Sequence, residues 1–241
     1  MRKYELTKET KILADGTVLH RVRALRDIPR YGVKAGDLGG WVEKESNLSQ
    51  DGDAWVSGNA WVYGDASVYG DAKVSGNAEV SGHALVYGNA WVSGNALVYG
   101  NASVYGNAEV YGYAQVSGNA LVYGNASVYG NAQVSGNALV YGDAWVSGDA
   151  WVYGDAEVSG DAKVSANSDY MVIKNIWSSG RWFTYTRSNR MWKVGCFYGT
   201  GEELIKKAYA DSELSGRCYE AIVRAQEAID KAIDEKEGGA K

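Results

Sequence analysis

Residues 84–107 read ALVYGNAWVSGNALVYGNASVYGN, which is four copies of one six-residue phrase. The phrase is Ala-x-Val, then Tyr or Ser, then Gly, then Asn or Asp. Its six-residue frame recurs nineteen times from Ala54 to Asn167 with no insertion, and sixteen of these copies match it at every position. A period of six is too short for a helical repeat and leaves room for one short strand and a two-residue corner. Each phrase therefore predicts one side of a parallel β-helix, and three sides make a coil of eighteen residues.

Each position of the phrase has a predicted role. Side chains alternate between the two faces of a strand, so Ala and Val point inward and x points outward. Gly, Asn and Asp tolerate the left-handed backbone region, so we expect both corner positions to use it. At ~4.8 Å per coil, about six coils form a prism roughly 30 Å long.

The spacing resembles that of hexapeptide-repeat proteins, in which an aliphatic residue such as Val56 is followed four positions later by a small one such as Ala60. This resemblance implies a mainly β fold, a single-stranded left-handed parallel β-helix. The flanks, with Arg23-Ala-Leu-Arg-Asp27, Gly36-Asp-Leu-Gly-Gly40 and residues 195–204, look like those of uncharacterised phage and prophage β-helix proteins. Some hexapeptide-repeat proteins are labelled transferases, but a shared fold does not establish a shared function.

The sequence divides into an N-terminal β cap at 1–47, the hexapeptide coils at 48–167 and a C-terminal α+β module at 168–241. Caps are required because the ends of a β-helix expose unpaired strand edges. In the module, residues 170–185 and 191–197 predict strands, with turns at 178–180 and 188–189. Thr200 and Glu203 form a capping box that opens one helix. A second helix is predicted from about 216 to 236, ending before Gly238-Gly239, with one apolar face made of Tyr219, Ile222, Val223, Ile229 and Ile233.

Charge is distributed unevenly along the 241 residues, whose net charge is −5. Residues 1–40 carry +4, residues 41–167 carry −10, and residues 168–241 carry +1. Duplex DNA is not expected to wrap around the coils, because phosphate binding needs Lys and Arg. An acidic rod could mimic DNA, but backbone geometry at the corners explains the Asp residues better. The N-terminal arginines are expected to form a solvated edge or to pair with the acidic first coils rather than to bind an acidic partner.

No run of about 18 apolar residues is present, and the start of the chain lacks an apolar secretion signal. We therefore expect no membrane partner and a cytoplasmic location, in the host cytoplasm if a phage encodes the protein. Cys196 and Cys218 have no CxxC spacing and are expected to remain thiols.

Aligning the phrases by eighteen predicts a ladder of tyrosines on one side of the prism. Three leucines flank the ladder at the outward x positions, and Ser159 follows its last tyrosine. An apolar stripe of this length is larger than most monomers leave bare. The stripe could be covered by identical subunits, most readily in a trimer, by the chain's own C-terminal helix, or by a different protein. Stacking of tyrosines between neighbouring coils could also explain the ladder without any partner. The stripe consists of Tyr69, Tyr87, Tyr105, Tyr123 and Tyr141 with Leu85, Leu121 and Leu139.

The C-terminal strands interleave basic and aromatic residues, a pattern that can bind nucleotides or single strands by stacking and charge. Packing onto the last coil is the simpler interpretation, since no RNP-like motif is present. The candidate residues are Arg181, Trp182, Arg187, Arg190 and Trp192.

No catalytic residue, metal site or cofactor is predicted. Hexapeptide acyltransferases, the alternative, generally use a histidine as base, and this chain has only His20 and His83. We expect a non-catalytic binding or scaffold protein. The phage resemblance implies that it engages a host protein or a signalling molecule, with suppression of a host defence as its purpose.

Overall fold

The computed structural model describes residues 2–177 and 180–238, with side chains through residue 236. The chain divides into two compact units, residues 1–167 and 168–241. The first unit holds the repeat together with the segment before it, so the predicted cap and the coils are one body. The turn predicted at 178–180 and the helix end predicted at 238–239 fall partly outside the described residues.

The N-terminal segment begins with an antiparallel hairpin of β1 (Tyr4–Ile12) and β2 (Val18–Ala24). Strand β3 (Leu38–Val42) pairs antiparallel with β2 and parallel with Trp61–Val62 of the repeat. The hairpin therefore continues one sheet of the repeat and covers its first edge, which would otherwise be an unpaired template. Two short 3₁₀ turns, Pro29–Tyr31 and Glu45–Asn47, complete the segment.

Polar contacts fasten this segment to the first coils. Arg26 pairs with Asp53 at 3.3 Å and Arg30 with Asp71 at 3.6 Å, as expected from the charge distribution. Asn47 is fully buried, and its Nδ2 donates to the carbonyl oxygens of Gly64 and Ala66 at 3.0 and 2.8 Å. These bonds satisfy backbone groups at the open end of the core.

The repeat folds as a parallel β-solenoid of about seven turns. Strands β4 to β22 are two-residue segments that recur every six residues from Trp55–Val56 to Lys163–Val164, and each strand from β4 to β19 pairs with the strand eighteen residues on. They form three faces. Face 1 consists of Trp55–Val56, Lys73–Val74, Trp91–Val92, Glu109–Val110, Ser127–Val128, Trp145–Val146 and Lys163–Val164. Face 2 continues from β3 through Trp61–Val62, Glu79–Val80, Leu97–Val98, Gln115–Val116, Gln133–Val134 and Trp151–Val152. Face 3 consists of Ser67–Val68, Leu85–Val86, Ser103–Val104, Leu121–Val122, Leu139–Val140 and Glu157–Val158.

The additional turn, beyond the six coils of the phrase, precedes the repeat. Trp41 and Val42 pair with Trp61 and Val62, and Leu48 forms a bridge to Val68. The first spacing is twenty residues instead of eighteen, so the strict period does not include this turn.

The solenoid core is built from two residue types. Every Ala and Val of the phrase is at most 1% exposed, which confirms the predicted inward positions. Burying apolar side chains in this way is the main favourable term in folding. Because each coil repeats the previous one, the same contacts recur along the whole prism.

The corners differ from the expectation in one respect. The corner glycines from Gly52 to Gly160 have φ between 60° and 74°. Among the described residues the one non-glycine with positive φ is Arg190, which lies outside the coils. The corner Asn and Asp residues therefore do not use the left-handed region. Their side chains instead form hydrogen-bonded ladders, in which Nδ2 of one residue donates to Oδ1 of the residue eighteen positions on, as between Asn107 and Asn125 at 3.0 Å.

The second unit is a four-stranded antiparallel sheet with two helices. The 3₁₀ turn Asn167–Asp169 leads into strands β23 (Tyr170–Lys174), β24 (Trp182–Thr186), β25 (Met191–Val194) and β26 (Phe197–Gly199), paired in that order. Helices α1 (Gly201–Asp211) and α2 (Glu213–Gly238) follow. The predicted capping box at Thr200 and Glu203 is present. The core joins one side of the sheet to the helices and contains Phe183, Tyr185, Trp192, Val194, Leu204, Ile205, Ala208, Tyr219 and Val223.

Helix α2 departs from its prediction at both its start and its buried face. It begins at Glu213, three residues before Gly216. The buried positions are Tyr219, Val223, Gln226 and Asp230, while Ile229 is 49% exposed. Gln226 Nε2 donates to Asp230 at 2.9 Å, and the Tyr185 hydroxyl donates to the same carboxylate. These bonds make a polar buried face stable, and apolar periodicity cannot detect such a face.

Candidate binding surfaces

The predicted tyrosine ladder forms on face 3. Tyr69, Tyr87, Tyr105, Tyr123 and Tyr141 stack with ring centroids 4.8 to 4.9 Å apart and ring planes within 3° of one another. The spacing equals the distance between hydrogen-bonded strands, because each ring is carried by a strand paired with the next. Aromatic pairs of this kind contribute about 0.5–1.5 kcal/mol each beyond area burial.

All five ladder tyrosines are half-buried, as are Leu85, Leu121 and Leu139 beside them. Each ring covers the face of its neighbour, so the ladder exposes mainly ring edges and hydroxyl groups. Burial raises the pKa of the Tyr123 hydroxyl to about 12, and the neighbouring Tyr141 adds to the effect. The Tyr123 hydroxyl, at the fourth position of the ladder, is therefore neutral across the physiological range.

Charge is absent from most of this surface. The outward strand positions of face 3 are Ser67, Leu85, Ser103, Leu121 and Leu139 before Glu157 at the end. The segment that carries face 3 has a net charge of −10 over residues 41–167. Face 3 is thus an uncharged strip on an acidic rod.

The most exposed aromatic rings of the solenoid lie elsewhere. On face 2, Tyr153 is 55% and Trp151 48% exposed. On face 1, Trp91 and Trp145 are each 45% exposed, and Tyr111 stacks on Tyr129 between them at 5.0 Å. Trp91 Nε1 donates to Ser75 Oγ at 3.0 Å, one turn back, which fixes the indole on the surface. In the sequence these aromatic residues lie on sides that mix Ser with Tyr, and they were not among the predicted site residues.

Tyr113 is the most exposed solenoid aromatic and occupies a corner position. Its side chain is 64% exposed, and it interrupts the amide ladder that runs from Asn59 through Asn77 to Asn95. The ladder resumes beyond it with Asn131 donating to Asp149 at 2.9 Å. The broken corner phrase is a signal visible in the sequence that could have identified this residue.

The basic and aromatic residues of the second unit do not form one site. Arg187 and Arg190 both pair with Asp234, at 2.7 and 3.0 Å. The two guanidinium groups hold the pKa of the Asp234 carboxyl below its usual range, and the hydrogen bond from Arg187 is the largest cause. Trp192 is 2% exposed and packs against Tyr185 and Phe183. Its burial corrects the expectation that this ring offers a stacking face.

Two of the predicted residues remain on the surface. Trp182 is 37% exposed, with the Lys174 ammonium 5.4 Å from its ring centroid. Arg181, its neighbour, is exposed and lines a pocket with Lys207 and Phe197. Of the five candidates, Arg187 and Arg190 are therefore in ion pairs and Trp192 is buried. Arg181 and Trp182 are exposed.

Four stretches of the coils match the profile of the YdcK beta solenoid repeat. They are residues 78–94, 90–106, 114–130 and 132–148. This is a β-solenoid repeat protein. No curated protein matches its sequence. The four matches all lie in the coils that also carry the tyrosine ladder.

In this β-solenoid repeat protein the ring of each histidine lies near a polar group of the fold. His83 takes a corner position, where its Nδ1 lies 3.6 Å from Asp65, and Lys44 binds the same carboxylate at 2.8 Å. His20 Nδ1 lies 3.3 Å from the carbonyl oxygen of Thr7. Cys196 and Cys218 are free thiols. Within the part of the chain that the structure describes, no cluster of His, Cys, Asp and Glu could hold a metal, and no helix is long and apolar enough to cross a membrane.

Proposed function

We propose that this protein is a non-catalytic scaffold and binding protein of phage or prophage type, belonging to the hexapeptide-repeat superfamily with its left-handed coil. Its copies associate through face 3, and its C-terminal unit engages a host protein or a nucleotide. The phage setting, the host partner and the suppression of a defence rest on the resemblance of the flanks. A trimer is the form that the superfamily resemblance favours.

One observation carries the proposal of self-association: the uncharged ladder strip on an acidic rod. Two rods of like charge repel least where the surfaces in contact lack charge, and the buried centres of interfaces are depleted of charge and enriched in Tyr. The ladder supplies four ring spacings of 4.8 to 4.9 Å, about 19 Å in all, of ordered aromatic and leucine surface. We therefore commit to a second copy of this chain as the occupant of face 3.

The double variant Tyr87→Ser, Tyr105→Ser tests this assignment. Serine already follows Val158 at the end of the same column, so the coil tolerates it. Native mass spectrometry and light scattering across a range of concentrations should show an oligomer for the wild type and a monomer for the double variant. Circular dichroism should show that both are folded.

The matched control is Tyr99→Ser, Tyr153→Ser on face 2, where both rings are at least 40% exposed. This variant loses similar aromatic area and should retain the oligomer. A wild type that is monomeric throughout, or two double variants that assemble alike, would show that face 3 is not the interface.

The acyltransferase alternative makes a separate prediction about His83. As a corner residue, it should tolerate His83→Asn with no loss of any activity, because Asn is the common residue at this position of the phrase. Loss of acyl transfer from a thioester donor in that variant would favour the enzyme instead.

A further inference from the structure

Arg181 differs from every other arginine of the chain in its pairing. The sequence contains ten arginines, and nine of them form ion pairs with a carboxylate: Arg2, Arg21, Arg23, Arg26, Arg30, Arg187, Arg190, Arg217 and Arg224. Among the described residues, Arg181 makes no such pair. In a chain with more acids than bases, a single unpaired guanidinium is a specific feature.

The local backbone holds Arg181 over a concave surface. Its carbonyl oxygen accepts a hydrogen bond from the Asn175 amide at 2.8 Å, which fixes the start of β24. Its side chain crosses Gly195, where a Cβ atom would lie only 3.3 Å from Arg181 Cδ. Gly195 also has φ 54°, so an alanine there would combine backbone strain with crowding of the arginine.

Arg181 lines a pocket of about 370 Å³ within the C-terminal unit. This volume is in the range of small-molecule sites, about 300–1,000 Å³. Lys207 lies on the wall, 5.7 Å from the centre of the Phe197 ring, and like Arg181 it makes no ion pair among the described residues. Val194, Leu204 and Ala208 supply apolar lining, and Asp211 is the one acid of the wall.

A larger cavity of about 530 Å³ in the same unit has cations that are paired with carboxylates. Its lining includes Arg190 with Asp234 and Lys231 with Glu235, so its cations are already neutralised. The smaller pocket combines an unpaired arginine with an apolar wall.

We propose that this pocket binds a phosphomonoester with a planar organic body, such as a nucleoside monophosphate. A phosphate carries about −1.5 to −2 charges and three acceptor oxygens, so it can satisfy both the Arg181 guanidinium and the Lys207 ammonium, which a single carboxylate cannot match in charge. The body packs against Phe197 and the aliphatic side chains. This inference rests on the binding role proposed for the C-terminal unit and specifies its ligand class.

Isothermal titration of the full-length chain with adenosine 5′-monophosphate, adenosine and inorganic phosphate tests the proposal. The monophosphate should bind at one site per chain, and each part alone should bind at least tenfold more weakly. Arg181→Gln and Lys207→Gln should each weaken binding about tenfold or more, because each removes a charge-assisted hydrogen bond to the phosphate. Gly195→Ala should weaken it as well, by displacing the Arg181 side chain.

Arg217→Gln is the matched control, because Arg217 lies on α2 with Glu213 as its partner and is outside the pocket lining. It should bind the monophosphate as the wild type does. Absence of monophosphate binding, or binding that Arg181→Gln leaves unchanged, would overturn the proposal. Neither result bears on self-association, which the face 3 variants test separately.

Discussion

Asn125 donates its side-chain amide to Asp143, one turn further along the solenoid, at 2.9 Å. Asn131 bonds Asp149 in the same way at 2.9 Å, and Asn137 bonds Asp155 at 3.0 Å. The three corner ladders therefore each pass from amides to a carboxylate within one turn. An amide both donates and accepts, whereas a carboxylate only accepts, so an Asp is suited to receive the final bond of a ladder.

The broken ladder at Tyr113 gives the first prediction. Tyr113→Asn should restore donation from Asn95 and acceptance at Asn131, adding two exposed side-chain hydrogen bonds. Such bonds contribute about 0.5–1.5 kcal/mol each, so we expect the free energy of unfolding to rise by about 1 kcal/mol. Thermal unfolding of the full chain measures the change, and Tyr111→Asn, which is not at a corner, is the control. A lower unfolding temperature for Tyr113→Asn would mean that the tyrosine contributes more to the fold than the ladder does.

Corner glycines provide a second prediction that separates two causes of destabilisation. Gly124 and Gly154 have similar φ values of 74° and 68°, but a Cβ at Gly124 would lie 3.0 Å from the amide nitrogen of Gly142, whereas one at Gly154 meets nothing within 4 Å. Gly154→Ala should cost about 1–2 kcal/mol from the left-handed backbone alone. Gly124→Ala should cost at least about 1 kcal/mol more from crowding the next coil. Chemical denaturation of both variants checks this, and equal losses would remove the crowding argument.

Alkaline pH should destabilise the tyrosine ladder. The pKa of Tyr123 is raised to about 12 by burial, so between pH 10 and 12 the unfolded tyrosine loses its proton while the folded one keeps it. The folded state then binds more protons than the unfolded state, and stability falls as pH rises through this window. Phenolate absorbance together with circular dichroism follows both events. Tyr123→Ser should reduce the loss of stability, Tyr153→Ser serves as the control outside the ladder, and equal losses in both variants would contradict this assignment.

Lys3 should produce the opposite pH dependence near the N-terminus. The side chain is fully buried, and its Nζ donates to the carbonyl oxygen of Asp51 at 3.3 Å. Burial lowers the pKa of Lys3 to about 8, and the nearby Arg26 contributes in the same direction. Between pH 8 and 10.5 the unfolded lysine keeps its proton while the folded one releases it, so stability rises with pH.

Comparison of the wild type with Lys3→Met isolates this effect. The wild type should gain stability over the variant by up to about 3 kcal/mol across the window, since one pKa unit corresponds to about 1.4 kcal/mol. Urea denaturation at a series of pH values measures the difference. A difference that stays constant with pH would mean that Lys3 keeps an ordinary pKa.

The solenoid was predictable because its interactions are periodic. Leu121 pairs with Leu139 for the same reason that Leu139 pairs with Glu157: each strand meets the strand eighteen residues on. The tyrosine stack and the buried Ala and Val follow from that single spacing. The additional first turn was missed because Trp41 pairs with Trp61 at a spacing of twenty, outside the strict period.

The pairing of charges and rings in the C-terminal unit was not predictable in this way. Arg187 and Asp234 are forty-seven residues apart in the sequence, and no repeat relates them. Trp192 stands beside Lys193 in a stretch that also holds Arg187 and Arg190, which suggested a stacking surface, but the helices cover that side of the sheet. Basic and aromatic residue types indicate a binding site only when their partners are known.

The sequence by itself determined the strand positions, the inward and outward faces and the tyrosine ladder, because a strict six-residue period gives every coil the same local geometry and the same neighbour. Only the tertiary structure decided which charges are neutralised and which rings are covered. It pairs Arg187 and Arg190 with Asp234, buries Trp192, and leaves Arg181 at the wall of a pocket, where it forms no ion pair among the described residues. Ion pairing and burial depend on distances between residues far apart in the chain, and those distances exist only once the chain has folded.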